Sequence, residues 1–423
     1  MRRTSAIAAF AAIAVAVVGC SSSSSTTGTG TTSSPAAGGN TIDIYSSLPL
    51  QAANIAQTVP TVNGMKLALA QAGGKAGQWT VNYQSLDDAT AATGKWDPGQ
   101  CAANARKAAS DPKTIIYLGE FNSGCSEVSI PILNEAGIPQ ISPANTYVGL
   151  TTGLPGSAPG EPQKYYPTGK RTYLRIVPID SIQGAADLIA MKNAGCTKVA
   201  VANDKEAYGG GLATLLELEK GYYGVTIVSN TGIDPTAPNF RSYASTIAGQ
   251  GADCFFFAGI TANGGVQIVK DVHTAIPTAK IFGADGVCTS AWTDPAKGGV
   301  PASIDPLIQC TVATLDLSAY PGGKAFLAAY QAKYGVSSPD PYAIYGYAVM
   351  QLALNTIKSL GAQGNSKSAV LAALFATKAT PSVLGTFGFN ANGDTTLKSY
   401  GLYKVTNGQL VFYQTVTPTK TVS

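Results

Sequence analysis

The 423 residues include one histidine, His273, and only 12% charged side chains. His273 falls in a predicted helix with Asp271 nearby and reads as a surface residue. One imidazole leaves no material for a histidine-based triad or a metal cluster, and the chain is not expected to be an enzyme. The glycine clusters Gly209–Gly211 and Gly264–Gly265 match neither the phosphate loop nor the dinucleotide fingerprint, so no cofactor is expected. Runs of Lys or Arg are missing as well: 28 basic residues stand against 24 acidic ones, and without Arg2 and Arg3 the excess falls to two. No nucleic-acid partner is expected from so even a balance. The N-terminal apolar run, Ala6 to Val18, is about a dozen residues and short of the roughly 20 that span a bilayer.

Arg2 and Arg3, the apolar run and the small-residue site Val17-Val18-Gly19-Cys20 together read as a secretory signal over residues 1–19. The arginine pair also admits twin-arginine export, although Thr4-Ser5-Ala6 does not continue that motif. From Ser21 to Asn40 the chain is almost wholly Ser, Thr, Gly, Ala and Pro without charge, a flexible tether. The remainder is too long for one ordinary core and suits two lobes with a cleft between them. Seven cysteines less Cys20 leave an even number in an oxidising compartment, which favours disulfides over metal or redox chemistry. Six cysteines allow fifteen connectivities; sequence neighbourhood suggests Cys101 with Cys125, Cys196 with Cys254, and Cys288 with Cys310.

Beyond Thr41, short strand-like runs alternate with helical periodicities. The expected strands are 41–45, 80–85, 115–118, 138–142, 198–202, 226–229, 254–258 and 280–283, with a strand-like stretch at 173–178. Helices are expected near 59–72, 101–110, 128–135, 181–193, 211–221, 240–249, 264–273, 342–359 and 366–378, and a strand pair near 399–405 and 410–414. Two successive βα arrays predict an α/β fold of two doubly wound parallel-sheet lobes, with ligand at the carboxyl ends of the strands. A Gly- and Pro-rich stretch, 151–170, breaks the rhythm and reads either as a functional loop at the lobe junction or as a surface insertion.

Five segments carry a family resemblance: Leu118-Gly119-Glu120-Phe121-Asn122-Ser123; Gly137-Ile138-Pro139-Gln140-Ile141-Ser142-Pro143-Ala144-Asn145-Thr146; Asn203-Asp204-Lys205-Glu206-Ala207-Tyr208-Gly209; Phe282-Gly283-Ala284-Asp285-Gly286; and the stretch from Gly385 to Asp394. From Thr41 to about Gln414 the chain resembles the leucine/isoleucine/valine-binding proteins, type I periplasmic binding proteins of branched-chain amino acid importers. The resemblance implies a clamshell with a three-crossing hinge near Tyr173, Thr311 and Leu384. It gives one lobe of 41–173 plus 312–384, a second of 174–311 plus 385–416, and a tail at 417–423. It also implies a monomer that binds a small solute and delivers it to ABC transporter permease subunits. The pattern before Cys20 resembles a bacterial lipobox, which implies cleavage there, acylation of Cys20 and anchoring on the outer face of the cytoplasmic membrane.

Candidate site residues sit at predicted strand ends. Ser123 precedes a helix, where its hydroxyl and the following N–H groups face an anion; the alternative is a plain helix cap. By resemblance Ser123, Ala144 and Thr146 hold the solute's carboxylate, Tyr208 contacts the solute and Asp285 holds its α-ammonium group. Each has a local alternative: a turn at Asn145 and Thr146, an aromatic cover at Tyr208, a turn-forming Asp at Asp285. Where branched-chain binders carry another aromatic, this chain reads Gly259-Ile260-Thr261-Ala262-Asn263-Gly264-Gly265, and Thr261 or Asn263 is a candidate polar contact. Trp79, Trp96 and Trp292 read as packing residues. A lipid-anchored sensor, or a binder of amides, urea or aromatic acids, stands beside the amino acid reading.

Overall fold

The computed structural model describes residues 40–422; the signal segment, Cys20 and residues 21–39 of the tether lie outside the described residues. The first sheet is laid down by β1 (Thr41–Leu48), α1 (Ile55–Gln71), β2 (Lys75–Ala76), β3 (Trp79–Asp87), α2 (Pro98–Ser110), β4 (Thr114–Gly119), α3 (Ser123–Glu135), β5 (Gln140–Ser142) and β6 (Tyr173–Arg175). Its strand order is β2-β3-β1-β4-β5-β6. Pairing is parallel throughout except for β2 against β3.

The second sheet is built from α4 (Asp180–Asn193), β7 (Val199–Asn203), α5 (Ala207–Tyr223), β8 (Ile227–Gly232), α6 (Arg241–Gly249), β9 (Cys254–Ala258), α7 (Val266–Ala275), β10 (Lys280–Gly283), α8 (Ser290–Thr293) and β11 (Ile308–Val312). The chain then supplies α9 (Gly323–Tyr334), α10 (Tyr342–Ser359), α11 (Lys367–Phe375) and the hairpin β12 (Thr380–Ser382) and β13 (Gly385–Phe387). It ends with β14 (Tyr400–Thr406) and β15 (Gln409–Val416). The order is β15-β14-β11-β10-β9-β7-β8, with β14 and β15 antiparallel. Strand β9 shows why the parallel core forms: Phe255, Phe256 and Phe257 are all fully buried, which requires helices on both faces.

The expected strands and helices lie within a few residues of the observed ones, whereas β2, α8, α9, β11 and the β12–β13 hairpin are additional to them. The chain leaves the first sheet after Arg175, returns to it after β11 through α9 and α10, and enters the second sheet again at β14. Helix α10 seats against α1 only because both carry glycine at the crossing. A Cβ on Gly64 would lie 2.1 Å from the Ala343 carbonyl oxygen, and one on Gly346 would lie 1.9 Å from that of Thr61. The 151–170 segment is an ordered insertion. Its Tyr165 and Tyr166 pack with Tyr147, Leu150 and Leu215 of α5, and buried Glu161 accepts the Tyr147 and Tyr165 hydroxyls at 2.7 and 2.5 Å.

At the junction of the two sheets lies Arg175, fully buried. Its Nε donates to Asp394 Oδ1 at 2.9 Å, and its Nη1 donates to the carbonyls of Tyr147 and Asn145 at 2.7 and 3.2 Å. Its Nη2 donates to the Thr151 hydroxyl. The Arg175 backbone N–H adds a bond to the Gly393 carbonyl at 3.0 Å, so the first and third crossings are fastened side by side. Asp394→Ala is expected to cost about 3–5 kcal/mol by leaving the guanidinium buried and uncompensated. Urea unfolding of that variant checks this, and Arg175→Met/Asp394→Leu should recover part of the loss.

Candidate functional site

Both sheets reverse strand order beside their first strand, and the loops that leave the carboxyl ends there face one another. From the first sheet come the start of α3 after β4 and the turn after β5. From the second come the start of α5 after β7, the turn after β9 and the turn after β10. Ser123, Ala144, Thr146, Tyr208 and Asp285 all line one small cavity of about 30 Å³ between these loops, together with Phe121, Glu206, Ile260 and Gly286. Larger hollows of 380, 360 and 570 Å³ lie on the outer face of α10, around Gln351 and Asn355. Their linings include no carboxylate, and none of the expected site residues reaches them.

Ser123 opens α3, where first-turn N–H groups without intrahelical partners give a partial positive charge. The residue at the capping position is Asn122, whose side chain makes no cap bond; Ser123 Oγ receives only the Tyr147 N–H, at 3.5 Å. The turn carrying Ala144 is held from beneath. Ser142 Oγ accepts the N–H groups of Ala144 and Asn145 at 3.0 and 2.8 Å, while Asn145 Nδ2 donates to the Phe121 carbonyl at 2.8 Å. Asn145 is therefore the turn-holding residue here, and Thr146 lines the cavity. The Thr146 carbonyl accepts the backbone N–H of Asp180 at 2.8 Å. Burial pushes the Asp180 carboxyl well above the usual aspartate range, against the lowering effect of the Thr146 hydroxyl.

Asp285 faces this turn from the second sheet. One carboxylate oxygen accepts the Tyr208 hydroxyl and the other accepts the Tyr342 hydroxyl. Burial raises its pKa above 3.8, and the two tyrosines oppose that rise by favouring the charged form. Gln57 Nε2 donates to the Asp285 carbonyl at 2.9 Å. Phe121 meets the Tyr342 ring edge-on at 5.2 Å. Tyr342 and Gln57 carried no local sequence signal, since they reach Asp285 from elements 57 and 228 residues away.

Other residues are placed differently from expectation. Asn263 is occupied by Asp204 Oδ2, at 2.8 Å, and by Lys95 Nζ, at 2.7 Å. Thr261 bonds the Gly286 carbonyl through its N–H at 3.2 Å. Neither lines the cavity, whose wall there is Ile260. Trp79 and Trp292 are buried and donate to the carbonyls of Gly361 and Gly265. Trp96 is half-buried, packs against the core as expected and also donates to Glu206 Oε2 at 3.0 Å. His273 is likewise half-buried rather than on the surface. The structure joins Cys101 to Cys125, Cys196 to Cys254 and Cys288 to Cys310, with Cα–Cα distances of 5.6, 5.7 and 5.5 Å. None of the described helices is long and apolar enough to cross a membrane.

Comparison with known proteins agrees with this geometry. The chain is 27% identical over 320 residues to the Leu/Ile/Val-binding protein BraC3 of Rhizobium johnstonii, covering 74% of this chain and 79% of that protein. The leucine-binding protein LivK of Thermotoga maritima superposes with a TM-score of 0.76 at 21% identity, over 89% of this chain and 99% of that one. A solute-binding protein of an ABC transporter from Rhodopseudomonas palustris, in complex with p-hydroxybenzoic acid, gives 0.73 at 18% identity over 89% and 97%. These two likenesses show a shared two-lobed α/β fold. The profile of the periplasmic binding proteins matches residues 49–409, and with that span, which includes every cavity residue, the chain belongs to the periplasmic binding protein family.

Proposed function

We propose that this chain is an exported lipoprotein, acylated at Cys20, that closes its lobes on an α-amino acid with a branched or related aliphatic side chain and delivers it to the permeases of an ABC importer. One observation carries this reading: the cavity sets the positive end of α3, with Ser123, Ala144 and Thr146, opposite the buried carboxylate of Asp285. That pair of poles is complementary to a zwitterion. Phe121 and Ile260 supply apolar wall for a side chain. The likeness to the leucine-binding protein LivK supports the same class.

A second reading, an aromatic carboxylic acid, is favoured by the p-hydroxybenzoic acid complex of a relative with the same fold. It uses the α3 end and leaves Asp285 without an ammonium partner. Whether the closed form is read by a transporter or by a signalling partner is decided by what docks on it, and a lipid-anchored sensor would use the same cavity.

Thermal unfolding against amino acids, amides, urea and aromatic acids tests the solute class. A ligand at about 100 times its Kd should add roughly 2.7 kcal/mol. Asp285→Ala should remove about 2–5 kcal/mol of amino acid binding, whereas stabilisation only by acids lacking an amino group would exclude the ammonium role of Asp285.

The pH dependence has a definite sign. An ammonium group binds the ionised carboxylate, and burial raises the Asp285 pKa above 3.8. Protons therefore compete with the solute, and amino acid affinity should fall as pH drops, starting above the range of an ordinary aspartate. An aromatic acid should show no such loss, because protonation of Asp285 removes a like charge. Tyr342→Phe should move the Asp285 pKa further up and weaken amino acid binding by about 1–2 kcal/mol, read by calorimetry across a pH series.

A further inference from the structure

Four polar side chains outside the amino acid subsites tie the two lobes together at the mouth of the cleft. Lys95 and Trp96 lie in the loop between β3 and α2 of the first lobe. Lys95 Nζ reaches Glu206 Oε1 at 2.6 Å and Asn263 Oδ1 at 2.7 Å, and the Trp96 indole N–H reaches Glu206 Oε2 at 3.0 Å. Glu206 precedes α5 and Asn263 follows β9, so both acceptors belong to the second lobe. The Lys95 and Glu206 side chains are 24% and 17% exposed, which shields the pair from full solvent screening.

The acceptors are prepared in advance. Asp204 Oδ1 accepts the Glu206 N–H at 3.1 Å, and its Oδ2 accepts Asn263 Nδ2 at 2.8 Å and the Ile260 N–H at 3.1 Å. One buried carboxylate thus fixes the turns that present Glu206 and Asn263. On the other side, the Trp96 ring lies over the first turn of α3, and a Cβ on Gly124 would come within 2.5 Å of it. Gly124 keeps that surface low enough for the indole to cover the helix end that carries Ser123. Glu206 itself lines the cavity, so without Lys95 and Trp96 it would set an unpaired negative charge beside the subsite expected to take a carboxylate.

We infer that Lys95 and Trp96 form a latch on Glu206 and Asn263 that weights the closed lobes and lengthens the residence of any solute without choosing among solutes. All three bonds that close it run between lobes and end on side chains that the solute's two poles do not need. The inference rests on the solute-capture reading for the site and adds positioning residues to it.

The test compares wild type with Lys95→Met, Glu206→Gln and the double variant by stopped-flow dissociation of leucine and of 4-hydroxybenzoate. Dissociation should speed up roughly tenfold in each single variant, by the same factor for whichever of the two solutes binds, with little change in association. The double variant should be no worse than Lys95→Met, and Lys95→Arg should recover most of the loss. Wild-type dissociation should accelerate with added salt and that of Lys95→Met should not. A loss confined to one solute, or unchanged dissociation rates, overturns the latch. If neither solute binds wild type, the solute assignment has failed, and X-ray scattering of the solute-free protein decides the latch. A larger radius of gyration in Lys95→Met and Trp96→Phe supports it, and curves identical to wild type refute it.

Discussion

The buried ion pair of Arg175 with Asp394 is the constraint on which both the junction of the two sheets and half of the cavity depend. Burying a guanidinium is unfavourable unless nearly every donor finds an acceptor. Here the acceptors are Asp394, Thr151 and the carbonyls of Asn145 and Tyr147. Two of those four flank Thr146 in sequence. The group that fastens the first crossing to the third therefore also fixes the turn that lines the first-lobe side of the cleft.

Charge in the cleft is managed by the same economy of groups. Asp285 is buried where an isolated carboxylate would be strongly disfavoured, and its ionised form is supported by one tyrosine from each lobe, Tyr208 on α5 and Tyr342 on α10. That pair of donors exists only where the two lobes meet, so the support for the ionised acid depends on how the lobes are set against each other.

Much of this was legible in the sequence. The βα alternation placed the strands because parallel strands covered on both faces must read as short apolar runs, as Phe255-Phe256-Phe257 does. That Ser123, Ala144, Thr146, Tyr208 and Asp285 share one cavity was reachable because each sits just past a strand end, on the rim where doubly wound sheets generally form their crevice. Tyr342, Gln57 and Lys95 were not, since each acts on a residue far away in the chain and belongs to an element whose local pattern reports only its own packing. Trp96 packs against the core as its aromatic ring suggests, but its indole N–H gives no sequence sign of the lobe it will meet. Asn263 read as a candidate polar contact because the partners that occupy it, Asp204 and Lys95, approach from two other loops.

The disulfides have a consequence beyond rigidity. Cys125 lies two residues past Ser123, and Cys288 lies three past Asp285, so each wall of the cleft is stapled beside one of its two poles. The thiols pair only in an oxidising compartment. A chain still inside the reducing cytoplasm lacks both staples at once, so neither wall of the cleft is tied down until the chain reaches an oxidising compartment.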